Sequence, residues 1–397
     1  MSMYSIPQQS HSGSGRRDPV KCAIGCQEWA ATSRRHLCTH PIIKGPRSAQ
    51  AFLAYLQQSP EVRPGNLVEG LWLRAQNSNR GTKDPWMKNL IIALTGRLPN
   101  LRSITLQNWG PVVICSNLTA ALRSFTQITT LDLQAPVFSS SADLEHVVFA
   151  LHGLSSLRLD YVSWKPDPDT NALPLNTAIY QLWPLPLSKV ELYSMHSDTV
   201  GPLFRWLGRH GCRPSELVVS RIYERHIAYL SNYMAFIGDR LEVFDFWPLF
   251  SYQGNPVQNV ETLFAHNLKV WSLTLQTNGS RGGGHENSWV PEVLRSARRC
   301  PLQKITFAMC LEDERALQTP LWRTITDIIR QHLPRTLRSV AFVHKPIKDE
   351  TRYCNNFLQD GTLAFRRCFA EQLESVGIHV EVRNAPVLDL NAYDLDD

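Results

Sequence analysis

No run of about 20 consecutive apolar residues occurs in the 397-residue chain, so a transmembrane helix is not expected. The first thirty residues also lack an apolar segment ahead of a small-residue cleavage site, so no signal peptide is expected and the reading is cytoplasmic or nuclear. Catalytic signatures are missing as well. There is no HExxH, no GxSxG elbow, no Walker loop and no dinucleotide fingerprint, so neither enzymatic activity nor a cofactor is expected. Charge is scarce and uneven. Only 19% of residues are charged, and the net +6 is concentrated at the start, where residues 1–50 carry seven basic side chains and two acidic ones. The remainder is nearly neutral and offers no broad basic face, so nucleic acid is not an expected partner.

The nine cysteines are scattered without a paired framework, and in a reducing compartment they read as free thiols. Cys22, Cys26, His36, Cys38 and His40 fall within nineteen residues, but no Cys-x-x-Cys knuckle is present. Buried cysteines on a helix are the expectation there, and no metal. The glycine run Asn278 to Gly284 lacks the Lys-Ser/Thr ending of a phosphate loop and reads as a loop between repeats.

What is present is a repeat of the form apolar-x-x-apolar-x-apolar. It occurs at Val68/Leu71/Leu73, Leu101/Ile104/Leu106, Ile128/Leu131/Leu133, Leu154/Leu157/Leu159 and Leu187/Val190/Leu192. It returns at Leu241/Phe244/Phe246, Leu268/Trp271/Leu273, Leu302/Ile305/Phe307 and Leu337/Val340/Phe342, with a degenerate copy at Pro214/Leu217/Val219. The ten copies follow one another at 26 to 35 residues. Each ends in an alternating segment, which predicts a short strand with one buried face. Helical periodicity fills the intervals, for example Trp86 to Leu98, Val200 to Gly211, Ile222 to Leu241 and Leu321 to Leu333. Strands buried on both faces would read as continuous apolar runs, so a doubly wound sheet or an eight-stranded barrel is disfavoured. The fold class is α/β.

This ladder resembles the leucine-rich repeat family. The resemblance implies a solenoid, or horseshoe, of about ten units with parallel strands on the concave face and helices on the convex face. The Asn or Cys that family members carry after the strand is missing, with Trp109, Ala135, Tyr161 and Ser194 near that place. The segment FLAYLQQSPEVRPGNLVEGLWL is similar to the entry of the first repeat in fungal F-box/leucine-rich repeat proteins. Ahead of it, Cys26-Gln27-Glu28-Trp29 with Arg34, Arg35 and Leu37 resembles only the last helix of an F-box, and no complete F-box is present. The implied organisation is a disordered tail over 1–19, a helical cap over 20–66, the repeat array over 67–383 and an acidic tail over 384–397. Two functional readings stay open. One is a non-catalytic recognition module, the substrate-receptor part of a cullin-RING ubiquitin ligase that contacts its adaptor. The other is a leucine-rich repeat scaffold without ligase association.

Either reading puts a protein partner on the concave face, to which the alternating x positions point. Trp72 and Arg74, Arg158 and Asp160, Glu191 and Tyr193, and Asp245 and Trp247 place aromatic anchors beside charges, the composition of interface hot spots. The proline-bearing insertion from Tyr161 to Pro174 would lie on the same rim.

Overall fold

The computed structural model describes residues 38–58, 64–75, 85–110, 114–164, 185–249, 260–279, 289–311, 320–333, 335–344 and 369–384. The chain is mixed α/β and divides into two compact units, Met1–Val137 with Asp143–Gly153, and Phe138–Ala142 with Leu154–Asp397. Among the described residues the larger of two sheets has four strands in the first unit and eight in the second, and within each unit successive strands of it pair in parallel. Among the described residues no helix is long and apolar enough to cross a membrane. The predicted tail 1–19 lies outside the described residues, as does the predicted acidic tail 384–397 except Asn384, which ends the last strand.

In the first unit the strands are β1 (Ile42–Ile43), β2 (Gly70–Arg74), β3 (Ser103–Gln107) and β4 (Thr130–Gln134). The span read as a helical cap thus contains a strand as well as helix α1 (Pro46–Gln58). The chain enters α1 through Gly45, and Ser48 donates to the Gly45 carbonyl while accepting from the Lys44 amide. Helices α2 (Trp86–Ala93), α3 (Ser116–Ser124) and α4 (Ser141–Ala150) follow β2, β3 and β4 in turn. Register aligns Leu71, Ile104 and Leu131 in one buried row and Leu73, Leu106 and Leu133 in the next. Such rows supply the core, because each of these side chains has its apolar area almost wholly removed from water.

The second unit holds β5 (Ser156–Asp160), β6 (Lys189–Tyr193), β7 (Glu216–Tyr223), β8 (Val243–Leu249), β9 (Ser272–Gly279), β10 (Lys304–Leu311), β11 (Ser339–His344) and β12 (His379–Asn384). Its helices are α5 (Ser197–Arg209), α6 (Ile227–Ile237), α7 (Trp289–Ser296), α8 (Pro320–His332) and the short α9 (Glu371–Glu374). Aromatic side chains replace leucine in its inner rows. Phe246 meets Trp289 of α7 edge-on at 5.4 Å, and Phe307 meets Trp322 of α8 edge-on at 5.3 Å. Rings carried by strand and helix therefore interlock, the geometry in which aromatic pairs add to simple area burial.

Two sequence readings change. The frame at Leu268/Trp271/Leu273 is displaced by two residues, because β8 aligns Phe244 with Leu273 and Phe246 with Leu275. Val270, Leu273 and Leu275 are buried, whereas Leu268 and Trp271 are 47% and 39% exposed. A period of two is satisfied equally by both frames, and only pairing with the neighbouring strand selects one. The helix expected from Ile222 begins instead at Ile227, because Ile222 and Tyr223 extend β7.

A backbone feature stands where the family's Asn or Cys would be. Asn108, Ala135, Tyr161, Ser194 and Arg221 each lie four residues beyond the central apolar residue of β3, β4, β5, β6 and β7, and all have φ between 46° and 56°. This left-handed conformation costs a non-glycine residue about 1 kcal/mol or more. It is held by hydrogen bonds to the following strand, with the amides of Asn108, Tyr161 and Ser194 donating to the carbonyls of Gln134, Tyr193 and Ser220. In β8 the equivalent place is Pro248, whose ring forbids positive φ. Ser194→Gly is expected to raise stability by about 0.5–1 kcal/mol in a denaturant titration, since glycine adopts this backbone without the Cβ penalty. Ser194→Val is expected to lower it.

Candidate recognition cleft

The left-handed residues of three successive strands come together at one place. Tyr161, Ser194 and Arg221 follow the ends of the regular ladder in β5, β6 and β7, and all three line a cleft of about 580 Å³. Met195 and His196, at the entrance to α5, form part of its wall. Tyr223, Arg225, Trp247 and Leu249 complete it.

The cleft is shaped by a β-bulge. Trp247 pairs with Ser220 but Pro248 pairs with Ile222, so Arg221 is an extra residue opposite β8. A bulge bends its strand and re-aims the side chain it carries. Here it sets the Arg221 guanidinium 5.1 Å from the centre of the Trp247 ring, and Arg225 lies 5.6 Å from the Tyr223 ring. Cation–ring contact orients a guanidinium while leaving its N–H donors available in the ring plane. Tyr161 and Tyr223 are exposed, so two of the aromatic surfaces are open to a ligand.

The predicted site residues fall into several groups. Trp247 lines the cleft directly. Arg158 stacks over Tyr193 at 4.4 Å, on neighbouring strands. Glu191 takes Lys189 at 2.7 Å, and the same ammonium reaches Glu216 at 2.8 Å across to β7. Burial pulls the Lys189 pKa down, but these two carboxylates outweigh it and leave it raised. Asp245 accepts both contacts of the Gln276 amide, at 3.1 and 3.4 Å. Asp160 is buried, immediately before Tyr161. Trp72 and Arg74 are half-buried on β2 in the first unit. The Tyr161 to Pro174 insertion lies outside the described residues from residue 165 onward.

No family model matches this chain, and no curated protein does.

The geometry alone must therefore say what the cleft can do. Among the described residues its lining combines two arginines and a histidine with three aromatic rings and no carboxylate. No thiol among the described residues lines the cleft; Cys212 and Cys300 are buried, and burial pushes both up to about 12. Among the described residues no group of three or more His, Cys, Asp and Glu side chains could hold a metal ion, and Cys22, Cys26 and His36 lie outside that set. Sequence reasoning missed Arg221, Tyr223 and Arg225. The signal was the position four residues beyond Leu217, where the five-residue strand of the preceding repeats runs on through an arginine and a tyrosine.

Proposed function

We propose that the chain is a non-catalytic protein-recognition module of the leucine-rich repeat type, and that the cleft at the ends of β5 to β8 is where it holds its partner. The observation that carries this reading is the lining itself. Arginine, tryptophan and tyrosine are the residue types that dominate interface energetics, and here they converge on one concavity at the ends of four neighbouring strands. Repetition of strand and helix, with the same backbone kink after five successive strands, supports the repeat assignment. The substrate-receptor role in a cullin-RING ligase is the form of recognition that the F-box-like resemblance suggests. Its adaptor contact would fall within residues 20–37, which lie outside the described residues.

Affinity purification with Trp247→Ala separates these parts. Capture of a partner held in the cleft is expected to weaken by about 1–2 kcal/mol or more, as for other buried aromatic anchors. Cullin and its adaptor, if bound through the N-terminal segment, are expected in equal amounts with wild type and variant. Recovery of every associated protein at unchanged level would remove the cleft from consideration.

A further inference from the structure

Resting on the reading of the cleft as a protein-recognition site, we propose that its occupant is an acidic peptide segment of a partner protein, with carboxylates gripped by Arg221 and Arg225 and apolar or aromatic side chains laid against Trp247, Tyr223 and Tyr161. Charge is the first argument. Both guanidinium groups face the same concavity, both residues are exposed, and neither meets a carboxylate among the described residues. Their recorded contacts are with rings, which position a cation without neutralising it. Among the described residues the acidic ones nearest along the chain, Asp160, Asp198, Glu224 and Asp245, do not line the cleft. This contrasts with the polar face of the same sheet, where Lys189 is matched by Glu191 and Glu216. Among the described residues Lys189 is thus matched by carboxylates on the sheet, while Arg221 and Arg225 meet none at the cleft.

The second argument is the backbone geometry under a charge. Of the five left-handed residues, Arg221 is the one with a cationic side chain, and the one at which the strand continues through a bulge. The left-handed conformation is shared by all five, so what distinguishes Arg221 is the bulge, which carries its guanidinium to the Trp247 ring. The planar fork of arginine suits a carboxylate, to which it can donate two parallel hydrogen bonds. The third argument is shape. A cleft of about 580 Å³ admits two or three side chains of an extended segment, not a folded surface.

The test is fluorescence anisotropy on the full chain with four labelled probes: a Glu-Tyr decapeptide, matched Gln-Tyr and Lys-Tyr decapeptides, and a short DNA duplex. The Glu-Tyr peptide is expected to bind, and its affinity to fall about tenfold or more in Arg221→Gly/Arg225→Gln, since two charge-assisted contacts are lost. Arg221→Lys/Arg225→Lys is expected to recover part of that loss. Folding should survive the first variant, because Arg221→Gly relieves the strained backbone and Arg225 is exposed; equal thermal melting checks this, and the lysine variant serves if it does not hold. Equal binding of the Gln-Tyr peptide, undiminished binding by the arginine variants, or equal affinity for the duplex would each overturn the proposal, the last by showing a general polyanion surface. The two readings fail separately. If Trp247→Ala loses its captured partner while the Glu-Tyr peptide ignores the arginines, recognition stands and the acidic assignment falls. If Trp247→Ala keeps every partner, the recognition reading itself falls.

Discussion

Replacing Leu157 by Asp is expected to unfold the strands around β5, the largest effect of any single change considered for this chain. Leu157 is fully buried in the row that runs through Val190, Leu217, Phe244 and Leu273 on β6 to β9. A carboxylate at that point has lost its water and gains no cation, because its neighbours across the ladder are apolar. Burying an unpaired charge costs well over the ~5 kcal/mol that separates many domains from unfolding. Leu157→Ala, which removes volume without adding charge, is expected to cost about 2–5 kcal/mol and to leave a folded but weakened protein. Urea titration followed by circular dichroism distinguishes the two. If Leu157→Asp melted with the wild type, the register of β5 would be wrong.

Asn267 is expected to be nearly as sensitive, although nothing in a hydropathy reading marks it. Its side chain is 0% exposed and its amide donates to the carbonyls of Met234, at 2.8 Å, and Gly238, at 3.0 Å. Met234 is in the last turn of α6 and Gly238 directly follows it; their carbonyls also accept the Gly238 and Leu241 amides respectively, so Asn267 adds a second donor to each. Asn267 therefore caps a helix from some thirty residues further along the chain, and Cys300 in the next interval donates its thiol to the Asn267 carbonyl. Asn267→Ala removes one of the two bonds that each carbonyl accepts, with an expected loss of about 1–3 kcal/mol. Asn267→Asp is worse at neutral pH, because an ionised carboxylate has no donor to offer and faces two carbonyl oxygens. Its deficit is expected to shrink as the pH is lowered, since a protonated carboxyl can donate one of the two bonds. A Asn267→Asp protein as stable as wild type at pH 7 would mean that this cap contributes nothing.

The alternation of Leu71, Leu73, Ile104, Leu106 and their successors determined that short half-buried strands recur, because a strand with one wet face must repeat its apolar residues every second position. The helix over Pro46–Gln58 was legible for the same reason at a period of 3.6. Leu268 and Trp271 mark where this legibility stopped: in a segment alternating over eight residues, two frames share one parity, and hydrogen-bonded pairing with β8 chose between them. The recognition residues were legible in part. Trp247 stood out as an aromatic x residue, but the two arginines beside it did not, since a lone arginine in a polar stretch reads as solvated surface. What put Arg221 into the cleft is a bulge and a left-handed turn, and both are set by cross-strand hydrogen bonds to residues far along the chain. Periodicity is a local property that each side chain expresses through its own burial. A cleft is a relation among residues 161, 194, 221 and 247, and only the tertiary structure brings residues so far apart in sequence within a few ångströms of one another.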